Sequence, residues 1–186
     1  MEQTLIVVNP ADEVVGYAAR SKCHQGQGKR HRAITVLLFN ETGKLLLQKR
    51  KSPLWDGYWD LTGATHPLHY PDHDESCEEA GARFLATEWG VRASLNRVFA
   101  FTYFARIHEA CENEFCVLLA GQHQGPVQCN PDYAYDLRWS THRAFQEGVA
   151  ATPECYTPWA RIVSQKLPTT AWGQRLDAIP ADSSAA

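Results

Sequence analysis

The chain has 186 residues, 44% of them hydrophobic, and a formal net charge of −3. That length suits one domain with a filled core. The charge gives no basic footprint for nucleic acid, and no segment approaches the ~20 apolar residues of a membrane span. The opening MEQTLIVVNPADE has an acidic flank and too short an apolar run for a signal peptide, so the cytoplasm is the expected location. Six cysteines (Cys23, Cys77, Cys111, Cys116, Cys129 and Cys155) form no C-x-x-C pair and are expected as reduced thiols.

In chain order, TLIVV predicts a short strand and the glycine-rich SKCHQGQGKRHR a loop. AITVLLFN and KLLLQKR flank NETGK, whose Gly43 marks a turn, and together predict a β-hairpin. PLWDGYWDLTG is aromatic and rich in turn residues. DESCEEAGARFLATEWG predicts a helix, acidic at its start and closed by Gly90. VFAFTYFARI, NEFCVLLAG and DYAYDLRWST predict strands, THRAFQEGV a helix, and TPECYTPWARIVSQKL a proline-started C-terminal helix. The closing IPADSSAA is small and polar, so a frayed tail is expected from about residue 179. Strands and helices that do not strictly alternate predict an α+β fold, as one domain over residues 1–186.

Several side chains could carry chemistry. GATHP, residues 63–67, reads as a fixed turn that presents His66. His24 and His31 flank the glycine-rich loop, but seven residues of loop fix no geometry. Glu112 and Glu114 lie two apart at the start of an apolar strand and so face the same way. Two carboxylates on one face repel unless a cation or proton lies between them. Three imidazoles and two carboxylates would suit a divalent ion such as manganese, magnesium, iron or zinc. Glu88, near the end of its helix, could hold a hard ion such as magnesium; alone, it reads equally well as an exposed helix residue.

In order and separation, the pieces resemble the type I isopentenyl diphosphate isomerases, a branch of the Nudix fold. The matching pieces are YAARSKCH, HRAITVLLFNETGKLLLQKR, the W-x-G-x-W of Trp55, Gly57 and Trp59, then THPL, ATEWGV, ENEFCVLL, NPDYAYDLRW and TPW. They span roughly residues 4–165. The resemblance implies a Nudix-type mixed β-sheet sandwiched by helices, acting on a small molecule as a monomer or homodimer. It implies a divalent metal (Mn, Mg or Zn) on His24, His31, His66, Glu112 and Glu114. It also implies a magnesium ion held with a diphosphate substrate by Glu88. The family reaction shifts a double bond by two proton transfers through a carbocation-like species. Glu114 and Tyr103 match the groups on one face of the substrate, a cysteine stands on the other, and Trp159 matches an indole that faces the developing charge. Arg50 matches a diphosphate-binding arginine, and Arg20 or Lys22 would supply an N-terminal basic contact.

The chain departs from that pattern at informative places. The family's cysteine position is Ala64, whose methyl group transfers no proton, and the hydroxyl of neighbouring Thr65 is a poor substitute. Asp60 and Leu61 replace a Thr-Asn pair, putting a new carboxylate beside the expected pocket. Phe84 stands where the family has a diphosphate-binding arginine; Arg83, one helix step away and about 100° around the axis, is the candidate substrate contact in its place. Ala64 is explained by an engineered Cys→Ala change or by natural divergence; the changes at residues 60, 61 and 84 favour divergence. The sequence thus predicts an isomerase-like metalloenzyme acting on isopentenyl diphosphate or another unsaturated substrate. The alternatives are a Nudix-type diphosphate hydrolase and a non-catalytic, metal-containing binding homologue.

Overall fold

The computed structural model describes residues 2–178, and the frayed tail expected from residue 179 lies outside the described residues. The centre of the fold is β3 (His31–Phe39), whose run AITVLL is buried on both faces. It runs parallel to β8 (Ala110–Gln122), from His31 opposite Glu114 to Phe39 opposite Gln122. β8 pairs antiparallel with β7 (Asn96–Ile107). On its other side β3 takes the short β6 (Gly63–Thr65). A second set of strands places β4 (Leu45–Arg50) between β5 (Trp59–Asp60) and β9 (Ala134–Ser140). β1 (Thr4–Val8) touches the start of β3 at Val7 and His31, and carries β2 (Val14–Ala19) outside it.

The expected hairpin forms at its turn, where the Asn40 N–H donates to the Lys44 carbonyl, but its strands do not stay paired. β3 and β4 make one paired position, Phe39 with Leu45, and then splay into the two halves of the sheet. Thr62 fills the gap: its hydroxyl accepts from the Leu38 N–H at 2.8 Å and donates to the Leu46 carbonyl at 2.9 Å. One side chain thereby satisfies backbone groups on both strands that a ladder would have paired.

Both faces of β3 are covered because its alternate residues point opposite ways. Ile34, Val36 and Leu38 meet Ala80, Phe84, Leu85 and Trp89 of the helical segment after residue 76. That segment is α2 (Cys77–Phe84), started by a Ser76/Glu79 capping box, followed by a π-helical turn over Leu85–Trp89. Gly90, at φ 64°, takes the left-handed conformation that ends it. Ala33 and Leu37 face the other layer, which contains α3 (His142–Ala151), α4 (Pro158–Lys166) and α5 (Ala171–Ala178). The α+β architecture, a mixed sheet between helices, is the one expected.

Other boundaries differ from the sequence expectation. The supposed loop begins with one helical turn, α1 (Arg20–Cys23). The proline-started helix is interrupted: Pro153–Cys155 form a 3-10 turn, Tyr156 is extended, and α4 starts at Pro158 behind a Thr157 cap. Extended Tyr156 bridges to Trp59, and the following Thr157 N–H donates to the Trp59 carbonyl. Tertiary pairing there overrides local helix propensity. No helix among the described residues is long and apolar enough to cross a membrane.

Candidate metal centre and adjoining cavity

Three separate pieces of chain deliver the histidines. His24 follows α1, His31 opens β3, and His66 follows β6. Glu112 and Glu114 come from one face of β8, and the parallel register sets Glu114 directly beside His31. Ligand atoms of all five residues lie within 4.8 Å of one another. The three ring centroids are separated by 4.8, 4.9 and 5.2 Å.

Backbone carbonyls fix two of the rings. His24 Nδ1 lies 2.8 Å from the Arg20 carbonyl, and His31 Nδ1 lies 2.8 Å from the Lys29 carbonyl. A carbonyl can only accept, so each Nδ1 carries the hydrogen and each Nε2 points into the cluster. His24 Nε2 then faces Glu112 Oε2 at 3.0 Å. Both are buried without a hydrogen-bond partner, as is His31 Nε2. Such a set is satisfied by a cation at its centre, and its three nitrogen and two oxygen donors fit a borderline divalent ion.

The cluster's own charges fit the same purpose. His66 Nε2 and His31 Nε2 approach the same oxygen, Glu114 Oε1, at 3.2 and 3.6 Å. His31 is pushed up to about 10: burial opposes protonation, but the nearby Cys23 thiol, the Glu114 carboxylate and the Lys29 carbonyl outweigh it. Burial drives His66 down to about 3. Glu114 stays well below the usual carboxylate range because the neighbouring His31 and His66 rings overcome its burial. Glu112 is raised, by burial first and then by the Glu114 charge. A positive charge is therefore held among two carboxylates, and a divalent ion would displace a proton from it.

The centre opens onto a cavity of about 350 Å³. Tyr103, paired with Glu114 across β7 and β8, donates a 2.6 Å hydrogen bond from its hydroxyl to Glu114 Oε2. Burial, followed by the charges of Glu114 and Glu112, raises the tyrosine well above its usual range. Ala64, Thr65, Cys116 and Trp159 line the same space. The Trp159 ring lies 6.0 Å from that of Tyr103. Cys116, two residues along β8 from Glu114 and so on the same strand face, forms part of that wall.

Glu88 also lines the cavity, from the π-helical turn, so the widened turn carries a functional candidate. Burial raises it to about 7 against the lowering effect of Arg50 and Arg83. Arg20 and Arg50 line the cavity, whereas Lys22 is exposed and is not among its lining residues. Arg83 points elsewhere: it grips both oxygens of Glu75 at 2.8 and 2.9 Å and donates to the His66 carbonyl at 2.9 Å. It thus braces the GATHP turn. Glu75 completes the brace by accepting from the Leu68 N–H. Asp60 is fully buried, beneath the cavity rather than on its wall, where it bonds both Arg50 and Trp159. Phe84 is packed in the core against Gly63, where any Cβ on the glycine would overlap the phenyl ring. Gln48, Lys51, Asp132 and Tyr133 are further wall residues that the sequence did not single out.

The NUDIX domain family matches residues 29–160. The chain is 33% identical to isopentenyl-diphosphate Delta-isomerase 2 of Aromatoleum aromaticum, over 86% of this chain and 83% of that protein. It is 34% identical to isopentenyl-diphosphate Delta-isomerase of Halobacterium salinarum, over 88% of this chain and 79% of that protein. Among solved structures, DR0079 from Deinococcus radiodurans superposes with a TM-score of 0.71 at 21% identity, covering 88% of this chain and 98% of the other; this likeness concerns the fold.

Proposed function

The chain belongs to the NUDIX family and, within it, to the isopentenyl-diphosphate Delta-isomerases, and on that premise we propose that it is a metal-dependent enzyme transferring protons to and from an unsaturated small molecule. The reaction is an isomerase-type shift or exchange at a carbon–carbon double bond, in the cytoplasm, with isopentenyl diphosphate as the reference substrate. One observation carries this reading: the Tyr103–Glu114 hydrogen bond joins the five-residue metal centre to a cavity walled by Trp159.

His24, His31, His66, Glu112 and Glu114 would hold the divalent ion, manganese, magnesium or zinc, whose charge offsets the two carboxylates. Glu88 would hold magnesium together with a phosphorylated substrate. The Tyr103–Glu114 pair keeps a proton on the tyrosine oxygen beside a buried carboxylate, poised to pass it to an alkene carbon. The Trp159 indole supplies a π-face for the tertiary cation that results. Trp159 is only 2% exposed and Cys116 1%, so this wall keeps water from capturing the cation.

Ala64 offers no base opposite Glu114. We infer that protonation and deprotonation therefore proceed from the Glu114 face, so exchange at the alkene outpaces net isomerisation. The structural departures at residues 60 and 84 sit within integrated packing, which favours a natural origin for Ala64 also. The hydrolase alternative draws less support, because Glu88 is the one carboxylate of residues 77–89 that lines the cavity. Glu78 instead faces Arg97, and Glu79 closes the helix cap.

The test is NMR of the metal-loaded protein with isopentenyl diphosphate in D₂O. Deuterium entering the alkene, with little or no dimethylallyl product, is the expected result. Release of inorganic phosphate or pyrophosphate without exchange would replace this reading with hydrolysis.

A further inference from the structure

We infer that Asp60 turns the anion end of this cavity away from diphosphates, so that the site selects an unsaturated ester carrying a single phosphoryl group. The inference rests on the reading above only in taking the ligand to be such an ester; the charge selectivity stands on the cavity itself.

The basic groups near the cavity are largely committed. Arg50 Nη1 lies 2.9 Å from Asp60 Oδ2, its Nη2 donates to Ser52 at 3.2 Å, and its guanidinium lies 5.1 Å from the Trp159 ring centroid, so that its Nε is the one guanidinium nitrogen without a partner. Asp60 cannot swing away, because its Oδ1 accepts from the Leu61 N–H, the Thr157 hydroxyl and the Trp159 indole N–H at 2.8, 3.1 and 2.7 Å. If Arg50 left for a ligand, a fully buried carboxylate would lose its counter-charge. Lys51 Nζ donates to the Pro131 carbonyl at 2.7 Å. Arg83 is held by Glu75 and the His66 carbonyl. Position 84 is a buried phenyl ring.

Among the described residues, Arg20 is the basic wall residue with no side-chain hydrogen bond or ion pair, while Asp132, and Glu88 when ionised, place negative charge on the same wall. A phosphomonoester brings about −1.5 to −2 near neutral pH, and a second phosphoryl group adds roughly one more negative charge. One uncommitted guanidinium and a magnesium ion at Glu88 match the smaller charge. The same carboxylate also orients Trp159, so Asp60 couples the ligand's charge to the position of the indole and is a positioning residue rather than a catalytic one.

The experiment is calorimetric titration of the metal-loaded protein with inorganic phosphate and with pyrophosphate at fixed free magnesium. It is paired with D₂O exchange on 3-methylbut-3-enyl phosphate and on the corresponding diphosphate. The native protein is expected to bind phosphate at least as tightly as pyrophosphate, and to exchange the monophosphate ester with the higher kcat/KM. Asp60→Asn frees Arg50 and is expected to shift the pyrophosphate-to-phosphate affinity ratio about tenfold toward pyrophosphate. A merely structural loss would weaken both ligands together and leave that ratio unmoved, which would overturn the role of Asp60. Tighter pyrophosphate binding, or preferred exchange of the diphosphate, by the native protein would overturn the inference without any variant. Exchange of neither ester, with the phosphate preference intact, would sink the proton-transfer reading and leave the selectivity supported.

Discussion

The hydroxyl of Tyr103 donates to Oε2 of Glu114 at 2.6 Å, while Oε1 of the same carboxylate faces His31 and His66. One side chain thus serves the metal centre through one oxygen and the cavity through the other. Tyr103→Phe removes the cavity half and keeps the ring. A hydrogen bond to a charged group is worth about 1.5–3 kcal/mol, so exchange at the alkene should fall by about 10- to 100-fold. Metal content, measured by elemental analysis, should stay that of the native protein.

The pH dependence of metal affinity follows from His31. Its pKa of about 10 means that the metal-free centre carries a proton there across the neutral range, and the ion must displace it. Affinity should therefore fall about tenfold for each unit of pH lowered through that range. In the metal-free protein the same raised pKa stabilises the fold fully below the unfolded-state value near 6.5, and this contribution is lost as pH rises toward about 10. His66, driven to about 3, acts in the opposite direction: the neutral buried ring costs stability as pH falls from 6.5 toward 3. Metal titration and thermal melts across pH check both signs.

Arg83 links the helix to the GATHP turn through Glu75 and the His66 carbonyl. Arg83→Ala leaves the buried Glu75 carboxylate without its partner. A loss of about 1.5–3 kcal/mol in stability is expected, together with weaker metal binding because His66 loses its brace. Unchanged metal affinity at a lowered melting temperature would limit Arg83 to a structural role.

Ala64→Cys puts a thiol on the cavity wall that Glu114 also lines. Net isomerisation of the alkene should then rise by at least about tenfold over the native protein, since a second proton-transfer group typically contributes 10² or more. A rise in exchange without isomerised product would mean that the added thiol does not reach the far carbon.

The hydrophobic runs of β3, β4 and β8 were legible because buried strands write continuous apolar stretches, and β7 by its aromatic residues. The splaying of β3 from β4 was not, because it depends on Thr62, sixteen residues beyond Leu46. β2 and α5 carry weak signals: β2 exposes Val14, Val15 and Tyr17, and α5 contains Gly173. That glycine packs against the Leu167 carbonyl with no room for a Cβ. At the site, the spacing of two put Glu112 and Glu114 on one strand face, but that spacing alone reads as a solvated strand end. The three histidines had no such local signal, since the pairing of β3 with β6 and β8 and the bridge from Gln25 to Ala110 bring them together. The family resemblance, rather than spacing, picked them out. Arg83 was assigned to substrate by its nearness to the family arginine's position, and the structure shows it holding Glu75 instead. A carboxylate eight residues earlier was the available clue.

The most direct test of the account is the deuterium content of 3-methylbut-3-enyl phosphate recovered after incubation in D₂O, with metal-stripped protein and with protein reloaded with a divalent ion. Label is expected in the alkene only after reloading, and is expected to be nearly lost in Tyr103→Phe. No label with the reloaded native protein, while the ion is bound one per chain and the ester is shown by calorimetry to occupy the cavity, would contradict it.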